Sequence, residues 1–256
     1  MKPFFPFLVL LNLAMPAAAQ QDALALSTQM VVVTTADWNA VDGVLVRYER
    51  PHGRWKQVGE AIPVVVGRGG MGWGAGALPN DGNRDPQDPV KKEGDGKAPA
   101  GAFRLGAAFG YAAHPQQGWK MPYSGLTAAM ECVDDSASRF YNRLLDRNTV
   151  SPDWHSSEQM LRSDEAYRLG LEIEHNVNPA VPGGGSCIFM HIWYGRGIGT
   201  SGCTAMPREQ METVLGWLDP ARNPMLVQLP AAQYKKLKRA WRLPKLGKPS
   251  RPQERF

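Results

Sequence analysis

Three β-branched runs in the first half of the chain most constrain its fold: "MVVVTTADW" from Met30, "GVLVRYE" from Gly43 and "AIPVVVG" from Ala61. Each is bounded by Asn, Asp or Gly, is too short for a stable helix, and is rich in side chains stiff at χ1. The last two are joined by "ERPHGRWKQVG", which reads as a hairpin with its turn at Pro51-His52-Gly53. Further on, "AYRLGLEIEHN" alternates like a strand, "SCIFMHIW" is the continuous apolar run of a buried strand, and "MLVQLP" is another strand. "SGLTAAMECVD" also reads as a strand, and "SRFYNRLLD" as a short helix or irregular chain. Helical spacing is clearest in "PREQMETVLGWLD", with Pro207 near its first position and Met211, Val214, Leu215 and Leu218 along one face. No internal repeat is visible. The pattern implies a mainly β single domain with a few helices, a β-sandwich or barrel. Between these strands, Gly67 to Ala102 is loaded with Gly, Asp, Asn and Pro, then enters a strand at Phe103. A loop that long in a compact domain is usually functional or disordered.

The ends suggest where the chain works. "MKPFFPFLVLLNLAMPAAAQQ" has one positive charge at Lys2, an apolar run from Phe4 to Met15, and Ala17-Ala18-Ala19. This is the layout of a secretory signal peptide, with cleavage expected after Ala19 and a mature chain from Gln20. The apolar run is shorter than the roughly 20 residues of a membrane span. The expectation is export to the periplasm. The domain is therefore placed at residues 20–230, followed by a basic tail at 231–256. The net charge of +5 is concentrated in that tail. In an exported protein such a tail offers a weak contact to anionic wall polymer or membrane, and nucleic acid is not an expected partner.

Three cysteines are present, Cys132, Cys187 and Cys203. Thiols tend to pair in an oxidising compartment, and an odd count leaves one over. Cys203 sits in the glycine-rich stretch "HIWYGRGIGTSGCTAM", twelve residues after His191. Cysteine reacts as its thiolate. His191 could act as its base, and the helix beginning near Pro207 could favour a nearby negative charge. Gly202 would let the backbone approach a substrate, with neighbouring N–H groups facing a developing oxyanion. On these features alone, a nucleophile pair and a core histidine beside an inert thiol are both open readings.

The residues that separate these readings form a motif. The order His191, loop, Thr200-Ser201-Gly202-Cys203 resembles the L,D-transpeptidase catalytic domain (YkuD) family, and "KAPAGAF", Lys97 to Phe103, resembles that family's strand entry. The similarity spans about Met30 to Pro230. Two positions depart from the usual signature: Ser201 replaces a histidine, and Ala205 replaces the Asn or Arg that helps fix the substrate in most members. A proteobacterial branch lacking that arginine is associated with 1,3-type rather than 3,3-type cross-links, and "GCTAM" is closer to it.

The resemblance implies a YkuD-like β-sandwich or barrel and a cysteine acyltransferase acting on peptidoglycan stem peptides, with no metal or organic cofactor. Cys203 is the nucleophile and His191 the base. The backbone carbonyl of Ile192 orients the imidazole. Thr200, Ser201 and Gly202 form the oxyanion loop, with Gly202 and Cys203 N–H as donors. His175, Trp193, Tyr194 and Arg196 are groove candidates. With Cys203 reserved for chemistry, Cys132 and Cys187 become the candidate disulfide, closing a 55-residue loop for about 3–4 kcal/mol in the chain-entropy model. Two buried thiols are the alternative. An L,D-carboxypeptidase or amidase on the same scaffold, and a non-catalytic wall-binding module, are the competing functions; transfer and hydrolysis differ only in what resolves the thioester.

Overall fold

The computed structural model describes residues 23–78 and 84–247. The expected signal peptide, residues 79–83 of the Gly67–Ala102 stretch and the last nine residues of the basic tail lie outside the described residues.

The β-branched runs form the expected strands. β1 (Gln29–Thr35) lies between β2 (Asp42–Glu49), antiparallel to it, and β13 (Met225–Pro230), parallel to it. Val31, Val32 and Val33 are buried in succession, as in a strand covered on both faces. β2 pairs with β3 (Lys56–Val65) around the turn Pro51–Gly53, with Glu49 opposite Lys56. β3 meets β12 (Thr204–Met206), β12 runs parallel to β11 (Phe189–Ile192), and β11 pairs with β10 (Leu169–Ile173). Both β10 and β13 pair with the long strand β5 (Ala98–Gly110), which closes the sheet on itself. β5 can serve two neighbours because its first half faces β13 and its second half faces β10. Two short strands, β4 (Met71–Trp73) and β6 (Tyr123–Gly125), run parallel to opposite ends of β5. The result is the expected mainly β architecture, a closed barrel in one domain.

α1 (Arg208–Trp217) buries Met211, Val214 and Leu215, the face its spacing indicated. α2 (Ala231–Leu237) follows β13 directly and buries Tyr234 and Leu237 in the main core. This changes the expected division at residue 230. Tyr234 Oη donates to Pro244 O at 2.9 Å and Leu243 is buried, so residues 231–247 pack on the domain. The apolar members of that segment decide this, since basic residues on the same stretch can remain solvated while Tyr234 and Leu237 point inward.

The middle of the chain also departs from its simplest reading. "SGLTAAMECVD" is broken into β6 and β7 (Met130–Val133), separated by a turn at Thr127. "SRFYNRLLD" is a series of turns ending in β8 (Leu144–Asp146). With β9 (Ser157–Gln159) these strands make a separate three-stranded sheet, ordered β8-β7-β9. That insert has few apolar residues. It is held instead by a buried carboxylate, Glu131, which accepts from Arg147 Nη1 at 2.9 Å, Trp154 Nε1 at 2.8 Å, Ser157 Oγ at 2.7 Å and Gln159 Nε2 at 2.9 Å. Its covalent tie to the barrel is the Cys132–Cys187 disulfide, with Cα atoms 5.9 Å apart, inside the range a bridge allows. The strand at Phe103 begins earlier than expected, at Ala98, and the Gly67–Ala102 stretch contains β4.

Candidate active site

Strand register creates the site. β11 and β12 are parallel, with Met190 opposite Thr204 and His191 opposite Ala205. One step back along that register, Cys203 lies opposite Phe189. Side chains alternate faces along a strand, so Phe189, His191, Cys203 and Ala205 share one face. That face is covered by a second apolar cluster, distinct from the main core, containing Phe109, Cys132, Tyr167, Cys187, Phe189 and Cys203. The Cys203 thiol therefore lies at the seam between the barrel and the three-stranded insert.

Rings pack edge-to-face around it: Phe109 on Phe189 at 5.1 Å between centroids, Tyr167 on Phe189 at 5.7 Å, and Tyr167 on His191 at 5.3 Å. Gly170, opposite both His191 and Phe109 in β10, makes this packing possible. A Cβ there would come within 2.1 Å of Phe109 Cζ.

The thiol is the free cysteine, buried in this cluster. Phe189 N–H donates to Sγ at 3.3 Å, and Sγ reaches Cys187 O at 3.6 Å. Burial first, and then the Glu158 carboxylate, push its pKa up to about 12. The Phe189 N–H, the Lys91 ammonium and the Tyr167 hydroxyl pull the other way. The expected help from the helix is not part of this balance. β12 stands between Cys203 and α1, about 10 Å of extended chain, and a helix dipole acts mainly within its first turn.

His191 Nδ1 is 2.8 Å from Ile192 O. A carbonyl can only accept, so Nδ1 carries the proton and Nε2 holds the free lone pair. Burial lowers the His191 pKa to about 4. Cys203 and His191 thus rest as a neutral thiol and a neutral imidazole. Both line one cleft of about 620 Å³. A neighbouring cavity of about 430 Å³ shares Cys187 and Ile188 with it but contains neither Cys203 nor His191.

A family model for the L,D-transpeptidase catalytic domain (YkuD) matches residues 44–227. The chain belongs to the YkuD family. The matched span runs from β2 into β13 and so takes in the whole barrel wall that carries the site. Comparison with curated proteins and with solved structures gave no match.

Within this YkuD domain, the expected site residues divide by position. Thr200, Ser201, Gly202, Cys203, His191 and Tyr194 line the cleft; His175, Trp193 and Arg196 do not. His175 is buried, stacked edge-on against Phe103, with Nε2 donating to Gly184 O at 3.0 Å. Burial holds it neutral, with a pKa lowered to about 4. It sits at the end of β10, where the chain has already left the face shared by His191 and Cys203. Trp193 and Arg196 lie on the turn after β11, where the chain leaves the sheet. Tyr194 is exposed on the cleft rim, its hydroxyl donating to Asp164 Oδ2 at 2.8 Å.

The loop before Cys203 is organised by Thr200, whose hydroxyl donates to Cys203 O at 2.7 Å and accepts from Gly202 N–H at 3.1 Å. Of the two expected oxyanion donors, Gly202 N–H is therefore engaged in this turn. Position 205 is closed: Ala205 is fully buried between His191 and Val65, with no volume for an arginine.

Several cleft residues had no local signal. Tyr167 packs on His191 and donates to Glu158 Oε1 at 2.5 Å; Glu158 comes from the insert, and burial raises its pKa. Arg162 lies 5.3 Å over the Tyr167 ring and grips Asp164 at 2.7 Å; its hydrogen bonds lower the Asp164 pKa to about 2. The long loop supplies Arg68, Glu93 and Lys91, the last buried and paired with Asp95 at 2.7 Å. Charge and glycine content in that loop suggested function without saying which residues reach the thiol.

Proposed function

We propose that this chain is an exported peptidoglycan L,D-transpeptidase of the branch with alanine after the catalytic cysteine, working in the periplasm and forming cross-links of the 1,3 type. The observation that carries the reading is His191 held by Ile192 O in the same cleft as Cys203. With Nδ1–H tied down, Nε2 is the nitrogen left to take a proton. As the thiol attacks an amide carbonyl of a donor stem peptide, Sγ forms the S–C bond and its proton passes to His191. The tetrahedral oxyanion would be met by the Cys203 N–H. Collapse breaks the C–N bond, and the imidazolium returns its proton to the departing amine, leaving a thioester. The amine of a second stem then attacks the thioester, gives a proton to His191, and forms the new amide as the thiol is restored. Burial by Phe109, Phe189 and Tyr167 keeps the thiol protonated at rest, so proton transfer accompanies attack rather than preceding it.

The test is intact-mass measurement of the purified chain after incubation with stem peptides. The wild type should gain one acyl adduct, Cys203→Ala none, and His191→Ala should form it at least about 100-fold more slowly. An adduct of equal yield on Cys203→Ala would rule the assignment out. Muropeptide analysis of walls treated with the enzyme then separates cross-linking from trimming.

A further inference from the structure

We propose that Arg68 and Ser201 form a carboxylate-binding subsite beside the nucleophile, which holds a carboxylate of the stem peptide. Arg68 follows β3 and lines the cleft with Ser201, Gly202 and Cys203. Its Nη1 donates to Ser201 Oγ at 2.9 Å. Its backbone N–H donates to Thr200 O at 2.8 Å, and Thr200 N–H donates to Val66 O at 3.0 Å. Arg68 is thereby fixed to the loop that carries the nucleophile. Gly96 and Gly199 close around it: a Cβ on Gly96 would lie 3.0 Å from Arg68 Cγ, and one on Gly199 2.6 Å from its Cα. Such an arginine is pre-organised, so less freedom is lost when it binds.

Its charge is also available. Among the described residues no carboxylate forms an ion pair with Arg68, whereas the other cleft cations, Lys91 and Arg162, are paired with Asp95 and with Asp164 and Glu158. A fixed, exposed guanidinium has further N–H donors beyond the one given to Ser201, in the fork geometry that suits a carboxylate. The insert contributes the acidic residues Asp134 and Glu158 to the same cleft. Position 205 is closed by Ala205 packing, and Arg68 reaches the cleft from the β3 side.

This subsite rests on the stem-peptide reading above, but its test does not require turnover. Calorimetric titration of Cys203→Ala would use a stem peptide ending in diaminopimelate, and the same peptide with its carboxyls amidated one at a time. One amidated analogue should bind about 10- to 100-fold more weakly than the parent peptide. In Cys203→Ala/Arg68→Gln that analogue and the parent should bind alike, both at the weaker level. Arg68→Lys retains the aliphatic stem over Gly96 and should show an intermediate penalty, which separates lost recognition from a disturbed loop. Equal amidation penalties with and without Arg68, or none in either, overturn the subsite; so does failure of the parent peptide to bind. A coupled penalty in a protein whose wild type never forms the thioester would uphold the subsite and reject the acyl-transfer reading.

Discussion

At the residue scale, burial decides the protonation of the site. His191 and His175 both have pKa values lowered to about 4, with burial as the leading cause. An unfolded histidine titrates near about 6.5. Above that pH both states are neutral and neither histidine affects stability. Between about 6.5 and 4 the unfolded chain binds protons that the folded chain refuses, so stability falls as pH falls. Each histidine contributes a loss of about 3 kcal/mol, complete near pH 4. Chemical denaturation at a series of pH values should show this slope, reduced by about half in His175→Gln if that variant folds. The same values set the rate profile. His191 must be neutral to act as base, and the thiol stays protonated to about 12. The kcat/KM profile for acylation should therefore hold a plateau through neutral pH, with its acid limb near 4. An acid limb near about 6.5 would mean that the imidazole is solvated in the working enzyme.

At the element scale, the site depends on a glycine in a strand that carries no catalytic group. Gly170 of β10 gives Phe109 room beneath His191. Gly170→Ala would drive a methyl into the Phe109 ring, which has Phe189 and Tyr167 on its other sides. Overpacking of this kind costs about 1–3 kcal/mol. The ring would relieve it by moving toward the Cys203 seam. The expected result is a lower melting temperature and a loss of acylation rate larger than the stability loss accounts for, measured at a temperature where the variant is fully folded. Gly170→Ser should be at least as harmful, because it adds a hydroxyl among apolar rings. An unchanged acylation rate in a folded Gly170→Ala would show that the ring cluster does not position the pair.

Taken as a whole, the molecule is a barrel with a polar insert clamped against the face that carries Cys203 and His191. The clamp is Cys132–Cys187, beside the Cys203 seam, with Glu131 organising the insert from within. Closing a 55-residue loop is worth about 4 kcal/mol through the unfolded state. Cys132→Ser should lose about that much stability. It should also slow acylation, because Glu158 and the loop leading to Tyr167 would no longer be tied to the strand that bears His191. Thiol counting under denaturing, non-reducing conditions should find one free thiol in the wild type. Three free thiols, or a bridged Cys203, would contradict this arrangement.

The sequence alone determined the features that local chemistry can encode. β-branched runs bounded by turn residues produced β1, β2, β3 and β13, and the apolar spacing of Met211, Val214 and Leu215 marked α1, because strand and helix periods are written along the chain. The order His191, Thr200, Gly202, Cys203, through its resemblance to the family motif, pointed to one strand-loop-strand unit whose residues line one cleft, and the odd cysteine count, once Cys203 was reserved, left the observed pair. Only the tertiary structure decided which distant groups share the cleft. Arg68, Lys91, Glu158 and Tyr167 sit in unremarkable local contexts, and strand pairing and closure of the insert bring them into the cleft that holds the thiol. The same packing removed His175, whose place next to a strand suggested the site. It also buried Tyr234 and Leu237 in a segment that its charge marked as a tail. Burial, register and long-range pairing depend on the whole chain at once, so no local window of sequence contains them.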